Sequence, residues 1–241
     1  MFKSIHEYIL KNNNKLIKLH IGCGSKYWKG WCNIDAYPSD PSDTHRGLMN
    51  NKPDIWADLR NLSNSNNIVD TICSQHVLEH FYRHEVISIF KNFFYLLKPG
   101  GVIITEMPDL YGILNLLKLL PFKPYYHNAD LKYRDMITAQ LYGASWEKNS
   151  QHYPYHKYVW GRKEFCKELE KIGFKIILST GATKSHVPYR DMAVICQKPF
   201  LHDVKKISRN SEYWKKKYGN FLSRIFIQFK SILKLSFLAL K

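Results

Sequence analysis

Gly22, Cys23 and Gly24 close the apolar run Leu19-His20-Ile21. Two glycines around one residue, directly after a strand, let the backbone turn sharply and approach a ligand more closely than a Cβ permits. A dinucleotide fingerprint needs a third glycine at position 27, where Tyr27 stands, so a pyrophosphate cradle is disfavoured. Asp35 ends the next apolar run, Asn33-Ile34-Asp35, where a carboxylate can accept two hydrogen bonds from ribose hydroxyls. Asp58 and Leu59 end Ile55-Trp56-Ala57, where an acidic group can meet the amino edge of an adenine while leucine packs on its face. His76-Val77-Leu78-Glu79-His80 matches H-x-x-E-H, an inverted zinc-peptidase pattern that on a helix puts both imidazoles on one face beside a glutamate. That pattern needs a further ligand on a helical scaffold, whereas here it follows a short strand, so zinc hydrolysis is not the reading adopted. Asp109 lies at the carboxyl end of a strand, placed either to orient or deprotonate a hydroxyl or to cap the next helix.

These residues need a scaffold. Strands are expected over Lys18–Ile21, Trp31–Ile34, Thr71–Ser74 and Val102–Glu106, each bounded by Gly, Asp, Asn or Pro. Between the last two, Val86, Ile87, Phe90, Phe93, Phe94 and Leu97 recur at three- and four-residue steps. This predicts an amphipathic helix over His84–Leu97, stopped by Pro99-Gly100-Gly101. Strand, helix and strand in that order argue for a parallel sheet with crossover helices. Only ten residues separate Gly24 from Asp35, so the first crossover is abbreviated. Arg162–Ile172 reads as a helix ended by Gly173, and Phe174–Ser179 and Met192–Gln197 as two late strands that close the sheet edge as a hairpin. The expected fold is α/β, a Rossmann-like doubly wound and mostly parallel sheet with a late antiparallel hairpin. Residues 1–200 form the main domain, with an insertion at about 110–160 lying over the sheet's carboxyl edge, where open α/β sheets place ligands. A basic amphipathic extension occupies 201–241.

The glycine turn, Asp35, Asp58-Leu59, Ser74-Gln75 leading into His76-Val77-Leu78-Glu79-His80, and Leu97-Lys98-Pro99-Gly100-Gly101 follow one another in this order. In that order they resemble the class I S-adenosylmethionine-dependent methyltransferases, particularly the small bacterial enzymes with an HVLEH segment and a following LKPGG turn. The resemblance covers residues 18–109 well and 157–198 more loosely. It implies that Gly22 and Gly24, with Cys23 between them, line the methionine part of S-adenosylmethionine. Asp35 would hold the ribose, Asp58 and Leu59 the adenine, and Ser74, Gln75 and His76 the side nearest the methyl. Cys23 itself reads as a small packing residue rather than a nucleophile. The segments Leu141-Tyr142-Gly143 and 152–160 resemble the lid of the same enzymes, which makes His156 a candidate base beside His80 and Asp109. Because the methyl is already activated, positioning can supply most of the rate, and a base is needed only for a poor nucleophile. No metal ligand is assigned.

The acceptor is read less directly. The resembling enzymes often accompany surface-polysaccharide synthesis, which implies O-methylation of a small-molecule or sugar or glycan acceptor. Methylation of DNA base amino groups leans on an [Asp/Asn/Ser]-Pro-Pro-aromatic segment, where this chain has Ser74-Gln75-His76-Val77. The alternatives are an RNA methyltransferase and a non-catalytic S-adenosylmethionine-binding module. The chain has 241 residues with 36 Lys or Arg against 20 Asp or Glu, a net charge of +16 that suits an anionic partner. Half of that excess lies in the tail from residue 201 onward, which carries ten Lys or Arg against Asp203 and Glu212. There Phe221, Leu222, Ile225, Phe226, Phe229, Ile232 and Leu233 form one helical stripe flanked by cations, the form of a helix lying on an anionic membrane. No apolar run is long enough for a span or a signal peptide, and five cysteines without CxxC spacing read as reduced thiols. The expected location is cytoplasmic, at most peripheral on the inner face of the membrane.

Overall fold

A computed structural model of the chain describes residues 4–11, 16–24, 26–36, 52–62, 67–119, 141–143, 155–181 and 190–200. The extension at 201–241, with its apolar stripe, and most of the insertion lie outside the described residues. The chain runs through α1 (Ile5–Lys11), β1 (Lys18–Ile21), β2 (Cys32–Asp35), β3 (Ile55–Trp56), β4 (Val69–Gln75), α2 (Arg83–Leu96), β5 (Leu97–Pro108) and α3 (Leu110–Leu119). It ends with α4 (Arg162–Ile172), β6 (Lys175–Gly181) and β7 (Asp191–Gln197). The seven strands form one sheet in the order β3-β2-β1-β4-β5-β7-β6. β3 to β5 are parallel through β2, β1 and β4, and β7 runs antiparallel to both β5 and β6. This is the expected doubly wound sheet with an antiparallel close.

Strand alternation sorts the core onto two faces, because successive side chains point to opposite sides. On one face, Phe90 and Phe93 of α2 meet Phe165 of α4, with Phe90 and Phe165 edge to face at 5.4 Å, over Leu19, Ile21, Ile34, Ile72 and Ile103. On the other face Cys73, Val102, Ile104 and Ile195 form a second cluster, joined by Trp28 and Trp31. These two tryptophans come from the β1–β2 connection, whose described residues 22–24 and 26–31 contain no helix. The abbreviated crossover is therefore real, and aromatic rings stand on the sheet there. His20 stacks on Trp28 at 3.7 Å while its Nδ1 meets Asn33 Oδ1 at 3.0 Å.

Chain order turns back at β1, which has β2 on one side and β4 on the other. A crevice forms at such a switch point, beyond the strands' carboxyl ends. Ile21 pairs with Ser74 across it, which puts the Gly22 turn beside the end of β4.

Candidate active site

Gly22 and Gly24 both take left-handed backbone, with φ of 63° and 51°, which glycine adopts without strain. The turn is anchored from β2. Gly22 N and Cys23 N both donate to Ile34 O, at 2.8 and 3.2 Å, and Gly24 N donates to Asp35 Oδ2 at 2.6 Å. Asp35 Oδ1 also accepts from Ala36 N at 2.8 Å. The carboxylate thus stands at the mouth of the glycine turn, half-buried. A Cβ on Gly22 would lie 2.2 Å from Val77 Cγ2, whereas one on Gly24 would meet nothing within 4 Å. Open space at Gly24 and close packing at Gly22 make a cradle walled by Val77. Ser74 Oγ, at the end of β4, is buried without a hydrogen-bond partner. A glycine cradle, a carboxylate at its rim and an orphaned hydroxyl behind it fit a donor with polar amino-acid and ribose ends. Cys23 is buried, and that burial, with Asp35 and Asp54 nearby, pushes its thiol up to about 12, so it packs rather than reacts.

The expected adenine-side residues lie at the end of β3. Asp58 caps the 3-10 turn at Leu59–Asn61 through Arg60 N at 2.9 Å, and its two oxygens take the Arg60 guanidinium. Arg60 in turn reaches Glu85 at 3.2 Å. Leu59 is buried in the main core.

The HVLEH segment does not form a helix. His76 has φ of 51°, in the left-handed region unusual for a side chain that bears a Cβ, and Leu78–His80 forms a single 3-10 turn. The H-x-x-E-H pair is thereby split. His76 turns to Glu79 Oε1 at 3.2 Å and Asp191 Oδ2 at 3.3 Å. Burial alone would lower its pKa, but contacts with Asp191 and Glu79 outweigh it and hold the imidazole up at about 9. Asp191 is held down at about 2: burial opposes, and His76 and the Arg190 guanidinium prevail. His76 thus bridges the Glu79 and Asp191 carboxylates at the end of β4. Gln75 Nε2 lies 3.4 Å from Glu106 Oε2, completing the polar end of β4. The sequence carries no signal for Asp191 beyond an acidic residue opening an apolar strand.

His80 and His156 do come together, with ring centroids 5.2 Å apart and planes tilted by 59°. Glu79 lies beside them at 2% exposure; burial works to raise its pKa, but the hydrogen bond and charge of His76, with smaller contributions from His80 and His156, hold the carboxyl below the usual range. The backbone ties the segments: Lys157 N and Tyr158 N both donate to Glu79 O, at 2.8 and 3.4 Å. Asp109 is engaged by two helix starts. Its Oδ1 accepts from Tyr111 N at 3.3 Å and Arg162 N at 3.2 Å, so one buried carboxylate caps the starts of both α3 and α4. Capping, the second of its two sequence readings, is what the geometry shows.

The sequence profile of the methyltransferase-domain family matches residues 1–179 of the chain. No curated protein matches it in sequence. Among solved structures, an S-adenosylmethionine-dependent methyltransferase from Methanosarcina mazei is 18% identical over 83% of this chain and 99% of its own, with a TM-score of 0.51. A second, from Clostridium acetobutylicum, is 14% identical over 81% of this chain and 89% of its own, with a TM-score of 0.47. The former likeness speaks for the fold alone. With the family profile spanning most of the chain and the switch-point cradle fitting the donor, the chain belongs to the methyltransferase-domain family and is an enzyme that uses S-adenosylmethionine.

Proposed function

We propose that the enzyme transfers the methyl to a hydroxyl oxygen of a sugar or glycan-linked acceptor. The observation that carries this reading is the cluster of Glu79, His80 and His156 at the carboxyl edge of the sheet, just beyond the end of β4. Bound S-adenosylmethionine supplies an activated methyl, so the chain's remaining task is to hold the acceptor and deal with its proton. A hydroxyl is a poor nucleophile until that proton is drawn away, and two imidazoles beside a buried carboxylate suit the task. His80 and His156 face the acceptor, with the Glu79 carboxylate beside them. Asp109 serves the scaffold instead, since its Oδ1 is engaged by two helix starts. The basic extension at 201–241 brings the enzyme to an anionic surface where lipid-linked glycans are assembled. Among the described residues no helix is long and apolar enough to cross a membrane.

Tritiated S-adenosylmethionine incubated with a bacterial lysate, then fractionated into small molecules, glycolipids and RNA, tests the reading. Base-stable label in the sugar or glycolipid fraction is expected, and it is lost in His156→Ala. Label confined to RNA contradicts it.

A further inference from the structure

We infer that Glu79, His80 and His156 bind a divalent first-row transition metal, with zinc as the fitting ion. One carboxylate oxygen and one ring nitrogen from each histidine lie within 4.8 Å of one another. Two polar atoms of these residues are left over by the fold. Glu79 Oε2 and His80 Nδ1 are buried and have no hydrogen-bond partner. A buried carboxylate oxygen and a buried ring nitrogen stripped of water and left unpaired are costly, and an ion between them satisfies both.

The surroundings have the form of a metal site's supporting shell. Glu79 Oε1 is engaged by His76 Nδ1 at 3.2 Å, and His76 Nε2 faces Asp191 at 3.3 Å. This chain fixes the carboxylate's rotation and leaves Oε2 for the ion, as hydrogen-bonded partners do for ligating carboxylates. The third ligand is brought in from the far part of the chain by the two hydrogen bonds from Lys157 N and Tyr158 N to Glu79 O. In a tetrahedral zinc site, ligand atoms about 2.0–2.1 Å from the ion stand roughly 3.4 Å apart. Closing from the present spacing asks only for a shift of about an ångström, within reach of two half-buried imidazoles. Two imidazoles with one carboxylate favour zinc, cobalt, nickel or ferrous iron over magnesium or calcium, which prefer all-oxygen sets. The ion does not use the H-x-x-E-H pair, because His76 is committed to Asp191 and Glu79.

Three protein ligands leave a coordination position open. The catalytic part of the inference rests on the hydroxyl-acceptor reading above; the binding part does not. In it, His80 and His156 act through the ion rather than as bases: the acceptor oxygen takes the open position and the ion lowers its pKa. The oxygen forms a bond to the methyl carbon as the carbon–sulfur bond of the donor breaks, and the hydroxyl proton passes to solvent water.

The test uses the full chain stripped with a chelator and zinc alone as the probe, in equilibrium dialysis with elemental analysis. One zinc per chain is expected, with cobalt giving the visible absorption of a four- or five-coordinate site. His80→Ala and His156→Ala each weaken zinc binding by more than about 100-fold, beyond the cost of losing a supporting partner. His84→Ala, on an exposed side chain of α2, leaves it unchanged. Both histidine variants lie on half-buried rings, so folding survives where Glu79→Gln can fail. Zinc well below one per chain, or wild-type affinity in His156→Ala, overturns the site. Methyl transfer that proceeds undiminished after stripping overturns the ion's catalytic role and leaves the hydroxyl reading standing. Stoichiometric zinc without label in any hydroxyl-bearing fraction has the reverse meaning: the site stands and that reading falls.

Discussion

Gly22→Ala probes the cradle where its packing is tightest. The added methyl would stand 2.2 Å from Val77 Cγ2, 3.1 Å from Cγ1 and 3.3 Å from Cβ. Rotating a branched side chain cannot clear all three atoms, since the Cβ itself is close. The residue would also keep a φ of 63°, which costs a side chain about 1–2 kcal/mol. Forcing a methyl into occupied space adds about 1–3 kcal/mol. The loss is therefore roughly 2–5 kcal/mol out of a total stability of about 5–15 kcal/mol. At about 2–4 °C per kcal/mol for a chain of this size, Tm falls by about 4–20 °C. Gly24→Ala has the same backbone cost but no steric one, because nothing lies within 4 Å of its added Cβ. Its stability loss is limited to about 1–2 kcal/mol, yet the methyl projects into the cradle and weakens donor binding. Thermal denaturation paired with calorimetric titration of S-adenosylhomocysteine reads both quantities. Combining Gly22→Ala with Val77→Ala should recover at least about 1 kcal/mol relative to additivity. A Gly22→Ala Tm within about 1 °C of wild type, or strict additivity with Val77→Ala, refutes the packing argument.

Asp109→Ala removes the shared acceptor of two helix starts and should cost about 1–3 kcal/mol, whereas Asp109→Asn keeps an acceptor, loses less and retains turnover. Turnover abolished in Asp109→Asn with an unchanged Tm would restore that residue as a base. His20 sets a pH dependence: burial, aided by Lys26 and opposed by the Asn33 hydrogen bond, pushes it down from 6.5 to about 4. Unfolded, the imidazole takes a proton below about 6.5, while in the fold it resists until about 4. Stability from this group is complete above 6.5 and is lost as pH falls toward 4, about 3 kcal/mol in all. Urea midpoints measured across that range should flatten in His20→Gln, and an unaltered slope contradicts the assignment.

Local pattern was enough to place β1, α2 and α4, because their apolar periods and glycine stops are properties of short segments. Lengths were misjudged where pairing decides them. β5 runs from Leu97 through the Lys98-Pro99-Gly100-Gly101 segment expected to be a turn, since Gly100 N donates to Lys198 O and Lys198 N to Gly101 O. Those partners lie about a hundred residues on, beyond any local signal. β2 begins at Cys32 rather than Trp31, whose ring instead joins the second core cluster. The glycine turn and Asp35 were legible because a tight turn after a strand dictates its residues. The roles within HVLEH were not, because they depend on Asp191, brought to the end of β5 by its pairing with Pro108. His156 was named from its segment, but its meeting with Glu79 depends on hydrogen bonds that only the folded chain forms.

The central claim is that the turn at Gly22–Gly24 and the Asp35 carboxylate at its rim hold S-adenosylmethionine at the sheet's switch point. Calorimetric titration of S-adenosylhomocysteine into wild type and Asp35→Ala, with melting curves to confirm that both are folded, tests it most directly. One site per chain, weakened at least about tenfold (roughly 1.4 kcal/mol) in the variant, is the predicted result. Equal affinity in the two proteins, or no binding to the wild type, contradicts it.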